Sequence, residues 1–328
     1  SLLRVEPSCR PAEYELRCRL SPREHVTADQ HLNLPDFVGR ESELRQLWQA
    51  WRDVVAGRPT QVMLRGRSGF GKTMLAQHFL SQLDDSQAVV IQGRCYETDS
   101  VPYNAWDEVV DALVAALPSP STVATVPTEQ WDALLRLFPT LGRVRSSGKH
   151  GLPVTDPAHE RRCAVQALRQ LLVATAKVRP VVLFIDDIHW GDSDSARLWH
   201  SLLAGTEPPR VLVLATYRTE EEVNSPFLSM CRAPIAQDGL RPPVLTIDID
   251  GLSPRASLRL ATEMCAASGQ HMPSLVCDVL RESNRHPWLI VTLCQEMIGG
   301  SASQSTRQLK SLDDVLTARI DRLTGSSQ

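Results

Sequence analysis

Gly66-Arg67-Ser68-Gly69-Phe70-Gly71-Lys72-Thr73 follows the apolar run Val62-Met63-Leu64 and fits the pattern G-x-x-x-x-G-K-[ST] at every defined position. Those residue types answer the chemistry of a triphosphate. Glycines let backbone N–H groups turn toward phosphate oxygens, and the helix that follows adds positive potential at its N-terminus. Within the pattern, Lys72 is expected to meet the β- and γ-phosphates and Thr73 to hold Mg²⁺. The candidate phosphate-binding residues are thus Gly66, Ser68, Gly69, Phe70, Gly71, Lys72, Thr73 and the adjoining Met74. A strand, glycine loop and helix in this order predict an α/β fold with a parallel central sheet flanked by helices.

A second element completes the phosphate site. Val181-Val182-Leu183-Phe184-Ile185 is apolar throughout, as a strand covered on both faces requires, and it ends in Asp186-Asp187. The C-terminal end of a parallel strand faces the ligand crevice, so Asp186 is expected to hold Mg²⁺ through water. Asp187, one residue on, is placed to accept a proton from the attacking water or to orient it. Two acids after a strand also suit a solvated turn. The apolar stretch 211–215 ends in Thr216-Tyr217-Arg218 and is expected beside the Asp186 strand. There Thr216 would sense or polarise the water, and Arg218 would contact the γ-phosphate as charge builds. The alternative for Arg218 is a surface ion pair with Glu220 or Glu221. For His189 and Trp190 packing is expected in preference to catalysis or adenine stacking, and Asp192 is expected to cap the next helix.

Periodicity orders the rest. Leu44, Leu47, Trp48, Trp51 and Val55 recur at helical spacing and predict a helix over 41–55. Strands are expected near 61–65, 88–92, 181–185, 211–215 and 244–249, with helices near 105–117, 158–178 and 193–204 between them. The stretch holding Pro118, Pro120 and Pro127 reads as broken, and 142–157 as a mobile loop. After Gly251 strands stop and helical patterns begin at Ser253, Pro273, Pro287 and Ser311. The expected organisation is a polar linker over 21–35, an α/β core over 36–250, and over 251–328 a small helical lid leading into a further helical or winged-helix region.

With 328 residues and 42% hydrophobic content, such a core and lid are affordable. The 35 Lys and Arg against 38 Asp and Glu leave a net charge of −3 without a dense basic run, so a nucleic-acid surface is not indicated. Eight widely spread cysteines show no C-x-x-C pair and no zinc spacing, which suits reduced thiols in the cytoplasm. No apolar run reaches membrane-spanning length. From the start at Ser1 and the helical pattern Leu312, Val315, Leu316, Ile320, Leu323 near the other end, a piece of a longer chain is expected, with a full-length small protein as the alternative.

These motifs together resemble the AAA-like P-loop ATPases called signal transduction ATPases with numerous domains, from about Pro35 to Leu323. The resemblance implies ATP and Mg²⁺ as ligands. It makes Gly66 to Thr73 the Walker A loop, Val181 to Asp187 Walker B, and Ala215-Thr216-Tyr217-Arg218 a sensor-arginine strand end. Phe37-Val38-Gly39-Arg40-Glu41 matches the opening motif, which implies that Val38, Gly39 and Arg40 lie near the base. Ser283-Asn284-Arg285-His286-Pro287 matches a Gly-Asn-Pro-like lid turn, with Pro287 toward the adenine and Arg285 in place of glycine. Pro287 also fits a plain first helical turn. Gly93-Arg94-Cys95-Tyr96-Glu97 with Ser100-Val101-Pro102-Tyr103 resembles ATPase modules that follow a bacterial serine/threonine kinase. Leu2-Leu3 and Pro7-Ser8-Cys9-Arg10-Pro11 are similar to the close of a kinase domain, placing a remnant at 1–20, although no kinase glycine loop, H-R-D or D-F-G is present.

The expected function is an ATP-binding, Mg²⁺-dependent regulatory ATPase that passes its output to neighbouring domains or protein partners, with nucleotide-dependent self-association possible. Two alternatives stand beside it: a nucleotide-dependent scaffold with little hydrolysis, and a DNA-binding ATPase of the origin-recognition type. Arg40 and Arg67 are exposed candidates for contacts in trans, or ordinary surface charge. A GTPase is disfavoured because no N-K-x-D motif occurs.

Overall fold

Strands β1 (Thr60–Gly66), β2 (Val89–Arg94), β3 (Val181–Asp186), β4 (Val211–Arg218) and β5 (Val244–Asp248) form one sheet in the order β2-β3-β4-β1-β5. Every pairing is parallel. The computed structural model describes residues 37–97, 102–119, 121–144, 156–203, 209–232, 242–267 and 273–299. The kinase-like residues, the linker and the pattern from Ser311 lie outside the described residues, as does most of the stretch 142–157.

Side-chain alternation explains why these segments are strands. Val62, Leu64, Val182, Phe184, Leu212 and Leu214 point to one face, where they pack with α1 (Glu41–Val55) and α2 (Lys72–Ser81). Met63, Leu183, Ile185, Val213 and Ala215 point to the other. That second face carries α3 (Asp107–Ala115), α5 (Thr128–Leu137), α6 (Pro157–Val178) and α7 (Ser193–Leu203); a single turn, α4 (Ser121–Ala124), lies between α3 and α5. Both faces are thus apolar, and β3 is buried at all six positions. Each fully buried Phe or Leu in these layers contributes roughly 1.5–3 kcal/mol.

Three differences from the sequence reading have physical causes. Strand β4 extends past Ala215 to Arg218 because its ladder with β1 continues until Gly66 pairs with Arg218. Helix α5 occupies a stretch that its prolines mark as broken. Pro127 stands immediately before the first turn, where no backbone N–H is required, and Trp131 and Leu134 are fully buried. The short helix α8 (Pro226–Arg232) likewise begins at a proline.

After β5 the described elements are all helical: α9 (Pro254–Ala267), α10 (Pro273–Ser283) and α11 (Pro287–Gly299). They pack around their own apolar cluster of Leu260, Ala261, Met264, Val279, Ile290 and Leu293. Val38, from the segment before α1, is buried in that cluster and not in the sheet core. No described helix is long and apolar enough to cross a membrane.

Candidate active site

Register brings the polar strand ends to one edge of the sheet. Arg94 pairs with Asp186 across β2 and β3, and Gly66 with Arg218 across β1 and β4. The glycine loop leaves β1 at this edge and returns as α2, whose N-cap Gly71 has φ 89°. Gly69 has φ 74°. Both lie in the left-handed region that glycine alone enters without steric cost.

Lys72 is buried, and its Nζ donates to the carbonyls of Gly66 and Arg67, at 2.9 Å each. Burial lowers its pKa, partly offset by Asp187. Thr73 donates its hydroxyl to both carboxylate oxygens of Asp186, at 2.9 and 3.1 Å. On the far side, Thr216 donates to the same carboxylate at 2.5 Å and accepts the backbone N–H of Asp187 at 2.9 Å. One carboxylate therefore joins the end of the glycine loop to β4. A serine or threonine oxygen beside a buried carboxylate is a donor set suited to a hard divalent cation whose remaining ligands are water and phosphate, so Thr73 and Asp186 fit Mg²⁺.

Asp187 is also buried, and its backbone is left-handed, φ 55°, a costly state for a residue with a Cβ. Its carboxylate receives Arg94 Nη2 at 2.9 Å, and Arg218 Nε lies 3.8 Å away. Arg218 stands at this edge with Asp187 as its ion-pair partner, and not Glu220 or Glu221. Thr216 is where the sequence places it, but its hydroxyl hydrogen is committed to Asp186 and is not free to polarise a water. His189 is buried, with neither ring nitrogen hydrogen-bonded. Burial pushes its pKa down to about 4 although Asp187 pulls the other way. Its ring packs against Trp190, as expected, and Asp192 caps α7 through Ser195 N–H at 2.8 Å.

Arg94 and Glu220 also stand at this site, and the sequence reading gave neither a role in it. Arg94 is half exposed yet bonds a buried acid, a contact set by the pairing of β2 with β3. Glu220 accepts the backbone N–H of Ser68 at 3.3 Å, and Arg67 Nε lies 3.6 Å from it. Burial raises the Glu220 pKa, but hydrogen bonds from its own N–H and that of Ser68 outweigh it and leave the carboxyl lowered.

The lid meets the loop directly. His286 Nε2 lies 3.1 Å from the Ser68 carbonyl, its ring is 4.5 Å from that of Phe70, and Trp288 N–H donates to the Gly69 carbonyl at 3.4 Å. Pro287 is the first residue of α11, and Asn284 and Arg285 before it are both left-handed, φ 45° and 63°. The turn therefore forms without the glycine of the resembling motif. Arg40 is not the exposed side chain expected. Only 8% of it is exposed, because it bonds Glu43, the carbonyl of Phe70 at 3.1 Å and that of Asp250. Arg67 is exposed as expected. Val38 and Gly39 line a cavity of about 390 Å³ with Ser253, Ala256 and Arg259, between the start of α1 and the lid. Met74, in the first turn of α2, is largely exposed.

The model of the AAA ATPase domain family matches residues 36–214. An uncharacterized protein of Rhizobium meliloti (strain 1021) is 25% identical over 171 residues, 49% of this chain and 16% of that protein's length. This chain thus spans under a fifth of its curated relative. Among solved structures, the Walker-type ATPase of Pyrococcus abyssi aligns with a TM-score of 0.48 and 13% identity, over 89% of this chain and 75% of the other. A signal transduction ATPase with numerous domains and a tetratricopeptide repeat sensor, from Pyrococcus horikoshii, gives 0.44 and 14%, over 90% and 34%. The RuvB Holliday junction branch migration motor of Thermotoga maritima gives 0.42 and 16%, over 89% and 73%.

Proposed function

The chain belongs to the AAA ATPase domain family, and from that premise we propose that it binds ATP with Mg²⁺ and hydrolyses it to drive a signalling switch within a larger protein. One observation carries the proposal: Thr73, Asp186 and Thr216 form a continuous hydrogen-bonded line beside Lys72, joining loop and strand ends as a triphosphate site requires.

In this role the amides of Gly69, Gly71, Lys72 and Thr73 cradle phosphate oxygens, and Lys72 exchanges the loop carbonyls for the β- and γ-phosphates. Thr73 and Asp186 would hold Mg²⁺, which would supply charge neutralisation to the phosphate oxygens. Asp187 orients the attacking water and takes up its proton, while Arg218 balances charge on the γ-phosphate. Val38, Gly39, Arg40 and Pro287 frame the base, and the Arg40 bond to the Phe70 carbonyl couples that segment to the phosphate loop. Contacts of Lys72 and Arg218 that exist with a γ-phosphate and vanish without it would shift the lid, which touches the loop through His286 and Trp288. Output would pass to neighbouring domains, to protein partners or to a second copy, in the cytoplasm. Loss of ATP affinity in Lys72→Ala, measured calorimetrically on folded protein, is the expected result; unchanged affinity would sink the proposal.

Two contacts favour an alternative, a nucleotide-dependent scaffold that hardly turns ATP over. Asp187 is held by Arg94, and Thr216 has no free hydroxyl hydrogen. If this is the working state, ATP binds tightly, turnover is negligible, and Arg94→Ala raises it.

A further inference from the structure

Helices α5 and α6 lie against each other away from the sheet edge, and a Glu, a His and a Cys meet on their seam. Glu129 Oε1 is 3.0 Å from His159 Nε2, and Cys163 Sγ is 3.4 Å from that same nitrogen. One ligand atom from each residue lies within 4.8 Å of the other two. His159 and Cys163 are one helical turn apart on α6, so their side chains share a face, while Glu129 comes from the facing helix.

A hydrogen bond at Nε2 serves only one of its two neighbours. If Nε2 carries a proton, its single N–H points at one neighbour and leaves the other unserved. If Nε2 is bare, it can accept from the Cys163 thiol, but its lone pair then faces the Glu129 carboxylate. A cation among the three atoms serves all their lone pairs at once. The two spacings at Nε2 agree with this. Metal–ligand lengths of about 2.0–2.2 Å for N and O and about 2.3 Å for S, at a tetrahedral angle, place N and O about 3.3 Å apart and N and S about 3.5 Å apart.

The arrangement is set by bonds outside the trio. Gln130 on α5 bonds both Gln166 and Gln170 on α6, and Arg136 pairs with Glu160, so the two helices run antiparallel in fixed register. Access is open from one side. The side chains of His159 and Glu129 are 44% and 65% exposed, and Cys163 lies buried beneath them.

We propose that Glu129, His159 and Cys163 form a binding site for a borderline-soft divalent transition ion, Zn²⁺ foremost, that clamps α5 to α6 and leaves a fourth position for water. Sulfur and imidazole donors select Zn²⁺ over Mg²⁺, so the site is chemically distinct from the all-oxygen pair Thr73 and Asp186. Binding converts the Cys163 thiol to thiolate and releases its proton to solvent. The proposal does not depend on how the chain uses ATP.

The test is titration of the whole chain with Zn²⁺ by calorimetry and with Co²⁺ by absorption spectroscopy, in wild type, Cys163→Ser and His159→Ala. Expected are one ion per chain and a thiolate-to-cobalt charge-transfer band. The band should vanish in Cys163→Ser, and affinity should fall more than about tenfold in His159→Ala, since loss of an outer-shell partner alone costs that much. Circular dichroism and urea unfolding report whether each variant stays folded, and Glu129→Gln, an exposed change, supplies a second variant if one does not. Absence of the band in wild type, or a band and affinity unchanged in Cys163→Ser, would overturn the proposal.

Discussion

Gly69→Ala and Gly71→Ala separate two costs that the phosphate loop combines. Both positions have left-handed backbone, φ 74° and 89°, which costs a residue with a Cβ about 1–2 kcal/mol. Restricting the unfolded chain returns about 0.4–1 kcal/mol. A Cβ at Gly71 meets nothing within 4 Å, so Gly71→Ala should cost about 1 kcal/mol and no more. At Gly69 the Cβ would lie 2.5 Å from His286 Cε1 and 3.2 Å from Trp288 Cβ. Overpacking of that kind adds about 1–3 kcal/mol, bringing Gly69→Ala to roughly 2–4 kcal/mol. The imidazole is the worst contact, so His286→Ala should remove most of the added cost but none of the backbone cost. The assay is urea unfolding of nucleotide-free protein for wild type, both glycine variants, His286→Ala and the double variant. A favourable coupling of about 1–3 kcal/mol between positions 69 and 286 is expected. Additivity within about 0.5 kcal/mol would refute the contact between lid and loop.

Arg94→Ala should lower the unfolding midpoint, because a buried Asp187 loses its 2.9 Å partner; a charged hydrogen bond is worth about 1.5–3 kcal/mol, and the half-exposed arginine puts the loss near the lower end. Arg94→Lys should recover part of it. His189 gives a pH dependence whose sign is fixed by its pKa of about 4 against 6.5 unfolded. Between those values the unfolded chain binds more protons, so stability falls as pH drops from about 6.5 toward 4, by about 3 kcal/mol in all. The charged groups around it are Asp187, Arg218, Lys72 and Glu220, and His189→Phe should flatten the slope measured by urea unfolding at several pH values. Thr73→Ala should weaken the Mg²⁺ dependence of ATP binding more than ATP binding itself, read by calorimetry with and without Mg²⁺.

What could be read from sequence was what depends on local chemistry. The glycine pattern from Gly66 to Thr73, the alternation in β1, β3 and β4 and the acids at the end of β3 each encode their own geometry within a few residues. The placement of β4 beside β3 followed from matching polar ends, Asp186 and Thr216, and the ladder bears it out. Missing were features that depend on which distant residue arrives. Nothing near Arg94 announces that β2 will sit next to β3, and so nothing announces its bond to Asp187. Arg40 looked exposed because its partners, the carbonyls of Phe70 and Asp250, are backbone atoms remote in the chain. Pro127 misled in the opposite way: it stands just before helix α5, and its local effect is the same whether a helix follows or not.

The most direct measurement is Mg²⁺-dependent ATP turnover by the purified chain, with Asp187→Asn as the paired variant. Turnover that requires Mg²⁺ and disappears in Asp187→Asn, while ATP binding persists, is the predicted result. Turnover unchanged in Asp187→Asn, or a folded wild-type chain that binds ATP without hydrolysing it, would contradict it.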